Sequence, residues 1–107
     1  ELKLMKKTAY IVNTSRGAVI DERALCKALD EGWIAGAGLD VYEKEPLPAD
    51  SPLTKIEKAV FTPHVGTTTT ETRRGMMLSV AQSIREALSG QPPANVVPEQ
   101  RGKVFKK

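Results

Sequence analysis

Cysteine is almost absent from this 107-residue chain. Cys26 stands alone, which excludes an intramolecular disulfide and fits a reducing compartment. No apolar run approaches the length of a membrane span and none reads as a secretory leader, so the expectation is a cytoplasmic protein with no membrane partner. Charge of one sign is also lacking: 16 basic residues against 13 acidic ones leave a net +3. Much of that excess sits in the tail Arg101-Gly102-Lys103-Val104-Phe105-Lys106-Lys107. So short a cluster, without interleaved aromatics or a groove-reading motif, gives no reason to expect nucleic acid. There is no internal repeat, no G-x-G-x-x-G turn, and no ligand spacing that points to a metal. What remains is a globular composition, 40% hydrophobic and 27% charged, long enough for one domain but not two.

The pivotal stretch is Val12-Asn13-Thr14-Ser15-Arg16-Gly17. The apolar run Ala9-Tyr10-Ile11-Val12 stops there at small hydroxyl residues, an arginine and a glycine. A continuous β-prone run of this kind predicts a buried parallel strand over residues 8–14. Gly17 predicts a turn that a side chain would obstruct. Before it, Glu1-Leu2-Lys3-Leu4-Met5-Lys6-Lys7 reads as the end of a helix already under way, and the chain as a piece of a longer one. After it, Asp21 is a fitting N-cap with Glu22 in the first helical turn. Ala24, Leu25, Ala28 and Leu29 mark the face that packs on a sheet, and Gly32 is the left-handed stop.

Residues 34–42, rich in small side chains, predict a second buried strand open to close approach. The three prolines of residues 43–52 make a loop, residues 53–56 a short helical turn, and residues 59–62 a third strand closed by Pro63. Thr68 and Glu71 have capping-box spacing for a last helix. Its stripe is Met77, Val80, Ala81, Ile84 and Leu88, with the methionines expected as core filler and Gly90 as the stop. An extended arm follows. The fold class is α/β, a partial Rossmann-like parallel sheet in the order β-α-β-β-α, with residues 1–90 as one half-domain and 91–107 as the arm.

All three strands end in polar groups: Arg16 after the first, Asp40 at the end of the second, His64 after the third. Glu45 lies in a loop that can return toward His64. Parallel strands put such ends on one edge, where α/β proteins bind ligands. Arginine there can hold a carboxylate through two parallel charge-assisted bonds. Each residue also has a plainer reading: a surface arginine, an aspartate that bonds loop amides, a solvated glutamate, a histidine on the way into a helix.

Val12-Asn13-Thr14-Ser15-Arg16-Gly17, then Gly36-Ala37-Gly38-Leu39-Asp40-Val41-Tyr42-Glu43-Lys44-Glu45-Pro46, then Thr62-Pro63-His64-Val65-Gly66 together resemble the D-isomer-specific 2-hydroxyacid dehydrogenases. The resemblance is to the second half of that family's NAD-binding domain, including the arm that returns to the substrate domain. It implies reversible hydride transfer between a nicotinamide, NAD or NADP, and a small 2-oxo acid. His64 matches the general acid, and Glu45 matches the carboxylate that orients the imidazole. Arg16 matches the anchor for the substrate carboxylate.

Asp40 matches a residue at the nicotinamide end. Thr14, Ser15, Arg16, His64, Val65, Gly66 and Thr67 would line the cofactor beside it. The related formate dehydrogenases carry glutamine where Glu45 stands, so a glutamate points to true 2-hydroxy acids, glyoxylate, hydroxypyruvate and phosphoglycerate enzymes all remaining open. The resemblance also implies a homodimeric parent, with a piece this size inactive alone. Two other readings stay open. One is an NAD-responsive assembly partner like the C-terminal-binding-protein corepressors. The other is a non-catalytic remnant that self-associates through the apolar face of the last helix.

Overall fold

The structure, a computed structural model, describes residues 1–103; the last four residues of the basic tail and arm, Val104, Phe105, Lys106 and Lys107, lie outside them. Two compact units divide the chain, Glu1–Gly66 and a second beginning at Thr67.

The first unit is a three-stranded parallel sheet with one helix. Strand β1 (Tyr10–Asn13) pairs with β2 (Gly36–Leu39), which pairs with β3 (Ala59–Phe61), in the order β1-β2-β3. Helix α1 (Glu22–Asp30) connects the first two strands. Its start is as expected: the Asp21 side chain accepts from the Ala24 amide at 2.9 Å, a cap worth about 1 kcal/mol. Its stop is Gly32, at φ +67. Leu25, Ala28 and Leu29 are buried and pack with Ile34, Ala37, Leu39, Tyr42, Leu53 and Ile56. Ala24, read as part of this face, is exposed instead, because the arc facing the sheet is one residue narrower on that side.

Strand β1 also departs from expectation. Tyr10 and Val12 are 72% and 69% exposed, and Val60 of β3 is 71% exposed. The register explains why. Ile11, Ala37 and Ala59 share a row on the α1 side, whereas Val12, Gly38 and Val60 share a row on the opposite face. Helix α1 covers only the first. The apolar run makes a strand, as read, but within this unit only one of its faces is covered.

The chain start forms a single 3-10 turn (Leu2–Leu4), and residues Pro52–Lys55 form another. The Glu45–Pro46 peptide is cis.

The second unit is built on helix α2 (Thr70–Leu88). Thr69, not Thr68, caps it, accepting from the Thr72 amide at 3.2 Å. In a run of four threonines the hydroxyl spacing alone allows either. Gly90 follows at φ +71, as expected for a stop. No residue of α2 is buried, so Met76 and Met77, 54% and 68% exposed, are not core filler among the described residues. The arm carries a further 3-10 turn, Pro98–Gln100. No helix among the described residues is long and apolar enough to cross a membrane.

Candidate active site

The register that builds the sheet also builds the site. Asn13, Leu39 and Phe61 stand side by side as the last paired row. One further rung on each side, Asp40 N–H to the Asn13 carbonyl and Thr62 N–H to the Leu39 carbonyl (both 3.0 Å), keeps the next residues level. The loops carrying Arg16, Asp40 and His64 therefore leave one edge together.

His64 is paired. Its Nδ1 lies 2.7 Å from Glu45 Oε2, and the other oxygen of Glu45 accepts from the Tyr42 amide at 3.1 Å. The carboxylate is thus fixed at both ends. The His64 bond first, then the Tyr42 amide, holds the Glu45 carboxyl below its ordinary range. An ionised partner favours the tautomer with its proton on Nδ1, leaving Nε2 as the ring nitrogen outside this pair. The pair lines a cleft of about 500 Å³ whose apolar walls include Tyr42, Leu47, Phe61 and Pro63.

The His64 backbone is unusual too. Its φ is +55, the left-handed region that a residue with a side chain enters at a cost of order 1–3 kcal/mol. Asp40 holds it there. Oδ1 of Asp40 accepts from the Thr62 hydroxyl at 2.5 Å and the Val65 amide at 2.8 Å, and Oδ2 from the Gly66 amide at 2.8 Å. These bonds bracket His64 on both sides. In the same order, Thr62 first and the Val65 amide next, they lower the pKa of the nearly buried Asp40 carboxyl. Of the alternatives open for Asp40, bonding of loop amides is what the geometry contains. The amides of Val65 and Gly66 face Asp40 in turn.

Asp40→Asn is expected to loosen this loop, because an amide group would meet donors where three now converge on a carboxylate. Exchange of the Val65 and Gly66 amides should quicken. A carboxyl whose folded pKa is depressed stabilises at neutral pH, and that contribution is lost as pH falls through the lowered value. The variant should flatten this acid limb, read by thermal melts at stepped pH.

Arg16 leaves the same edge. Its Nη1 donates to the Ser15 carbonyl at 2.6 Å, which engages one of the five N–H groups a guanidinium carries. Its charge adds to the lowering of Glu45. Thr14 and Ser15 are exposed beside it, while Thr67 belongs to the second unit. Gly17 is required, though not for a left-handed turn. A Cβ there would lie 1.9 Å from the Tyr42 carbonyl carbon and 2.3 Å from the Glu43 nitrogen.

Two contributors escape a reading of residue types. Tyr42 donates its hydroxyl to the carbonyls of Leu39 and Thr62, at 3.0 and 2.8 Å, tying β2 to the segment before His64. Asn13, 4% exposed, bonds both Ser15 and Arg16. The signal for Asn13 was present as an asparagine at a strand end two residues before a serine, the pattern of an Asx turn.

Residues 1–66 match the domain family described as D-isomer specific 2-hydroxyacid dehydrogenase, NAD binding domain. A glyoxylate reductase of Korarchaeum cryptofilum is 51% identical over 104 residues, 97% of this chain and 31% of that protein. Among solved structures, a glyoxylate reductase from Paecilomyes thermophila superposes with a TM-score of 0.84 at 45% identity, over 92% of this chain and 30% of that one. An NADPH-dependent glyoxylate/hydroxypyruvate reductase of Sinorhizobium meliloti, in complex with NADP and malonate, gives 0.84 at 32% identity, over 99% and 32%. The chain thus spans about a third of the length of the relatives it matches. By its sequence and its parallel α/β fold, the chain belongs to the NAD-binding domain family of the D-isomer-specific 2-hydroxyacid dehydrogenases.

Proposed function

We propose that this chain supplies the catalytic edge of an NAD- or NADP-linked reductase of small 2-oxo acids, with glyoxylate as the first candidate substrate. The observation that carries the reading is the His64–Glu45 pair, 2.7 Å apart, with Glu45 fixed from behind by the Tyr42 amide. The relatives' names agree with it.

The residues present fit the nicotinamide end of the cofactor. Exposed hydroxyls of Thr14 and Ser15, a paired imidazole and a guanidinium leave one strand edge, and a crevice outside the carboxyl ends of parallel strands is where dinucleotides lie in this class of sheet. No glycine-rich phosphate turn occurs in the sequence. The cofactor, when bound, supplies a hydride to the carbonyl carbon. Everything else falls to the protein. Arg16 holds the substrate carboxylate with its planar fork and so orients the carbonyl. His64 delivers a proton from Nε2 to the carbonyl oxygen as charge builds there. Glu45 keeps the ring in one orientation and one tautomer. Asp40, with Val65 and Gly66, serves the cofactor side by holding the loop that borders it. A cytoplasmic homodimer is part of the same proposal, supported by the exposed Met77, Val80, Ile84 and Leu88 on α2.

The test is the intact protein that carries this chain, assayed for oxidation of NADH and NADPH against a panel of 2-oxo acids. Turnover of glyoxylate or hydroxypyruvate is expected, and no oxidation of either cofactor with any acid would end the proposal. Arg16→Lys should raise KM for the acid about ten-fold or more, because an ammonium cannot reproduce the two parallel bonds. An unchanged KM would place the anchor elsewhere.

A further inference from the structure

Asn13 is a buried polar side chain at the carboxyl edge that neither the proton relay nor the Asp40-held loop uses. It is 4% exposed, and both ends of its amide are engaged. Oδ1 accepts from the Ser15 backbone N–H at 3.1 Å, while Nδ2 donates to the Arg16 carbonyl at 2.9 Å. Its own backbone is locked into the sheet, paired with Leu39 and accepting from the Asp40 amide. The side chain therefore spans residues 14–16 from a rigid platform and grips that loop at two points.

We propose that Asn13 is a positioning residue for the substrate carboxylate, setting the backbone from which Arg16 projects. This rests on the reading of Arg16 as the carboxylate anchor. The argument is geometric. A long flexible side chain on an exposed loop loses orientational freedom only if its Cα is fixed, and a fork that binds in two parallel bonds tolerates little error in direction. Gly17 fixes the far side by packing on the Tyr42–Glu43 peptide, and Asn13 fixes the near side. Asparagine suits the position because it offers a donor and an acceptor at once. Aspartate would keep the Ser15 bond and lose the Arg16 one; alanine would lose both.

The experiment is steady-state kinetics of the intact protein with glyoxylate, comparing wild type with Asn13→Asp, Asn13→Ala and Arg16→Lys. Asn13→Asp is expected to raise KM for glyoxylate about ten-fold, with kcat within about three-fold and cofactor KM within about two-fold. Asn13→Ala adds no charge and should raise KM as well. A merely structural role would reduce the active fraction, and so kcat, while leaving KM alone; that result overturns the inference. If Arg16→Lys raises KM and neither Asn13 variant does, the inference falls and the anchor stands. If Arg16→Lys also leaves KM unchanged, the anchor reading itself has failed. Should the variants not fold, hydrogen exchange in the unaltered protein decides. Slow exchange of the Ser15 amide and the Asn13 side-chain amide supports the grip, and exchange at the rate of a free peptide overturns it.

Discussion

Replacing His64 by glutamine is expected to lower kcat of the proposed reduction by the intact protein ~10²–10⁴-fold, the usual contribution of a positioned general acid. KM for the 2-oxo acid should change little, since Arg16 and its loop are untouched. Glutamine is the informative replacement. It is polar and similar in reach, and like histidine it carries a Cβ, so it meets the same φ of +55 and the same bracket from Asp40. What it cannot do is give up and regain a proton. The pH dependence of kcat/KM should flatten with the loss of the ionising group. Full turnover with an unaltered pH profile would remove His64 from the chemistry and leave the 2.7 Å pair as a structural contact.

Glu45 sharpens the same test. Its carboxyl is held low, by the His64 bond first and the Tyr42 amide second, so the anion that orients the ring persists through the neutral range and is lost only in acid. The oxygen bonded to Tyr42 ties it to the segment after β2, within the same compact unit as His64.

How much of this was legible in the sequence follows from which residues act through type and which through place. The strand ends were readable because each apolar run stops at a polar residue, and parallel pairing then brings Arg16, Asp40 and His64 to one edge. The Asp21 cap and the Gly32 stop were readable because local hydrogen bonding and backbone freedom decide them. Ambiguity entered where local rules were degenerate. Four consecutive threonines offer several caps, and Thr69 rather than Thr68 takes the role. Burial of β1 and of the α2 methionines was overread, since apolar runs report what a surface needs and not what covers it. Asp40's bonding of loop amides was among its plainer readings, and the Asx-turn spacing of Asn13 was present too. What the sequence did not write was which loops close on them, the Val65 and Gly66 amides for Asp40 and the Arg16 carbonyl for Asn13.

Gly17 is the other position of large expected effect. Alanine there places a methyl 1.9 Å from the Tyr42 carbonyl carbon, 2.0 Å from its oxygen and 2.3 Å from the Glu43 nitrogen. All three are backbone atoms, so no side chain can turn aside. Relief requires the residue 16–17 peptide and the residue 42–43 peptide to separate. That movement would displace Arg16 in the loop after β1 and Glu45, two residues beyond Glu43, in the loop after β2. We expect a loss of about 3 kcal/mol or more, at the upper end of overpacking changes. In a unit of this size that is a fall in melting midpoint of more than about 10 °C. Gly75 supplies the contrast: it lies inside α2 with nothing within 4 Å of its added Cβ. The same change there should stabilise α2 by roughly 0.5–1 kcal/mol, through helix propensity alone. Thermal melts of the two variants should therefore move in opposite directions. If Gly17→Ala melted with wild type, the two peptides would not be in contact, and the fixed placement of Arg16 beside the His64–Glu45 pair would lose its physical basis.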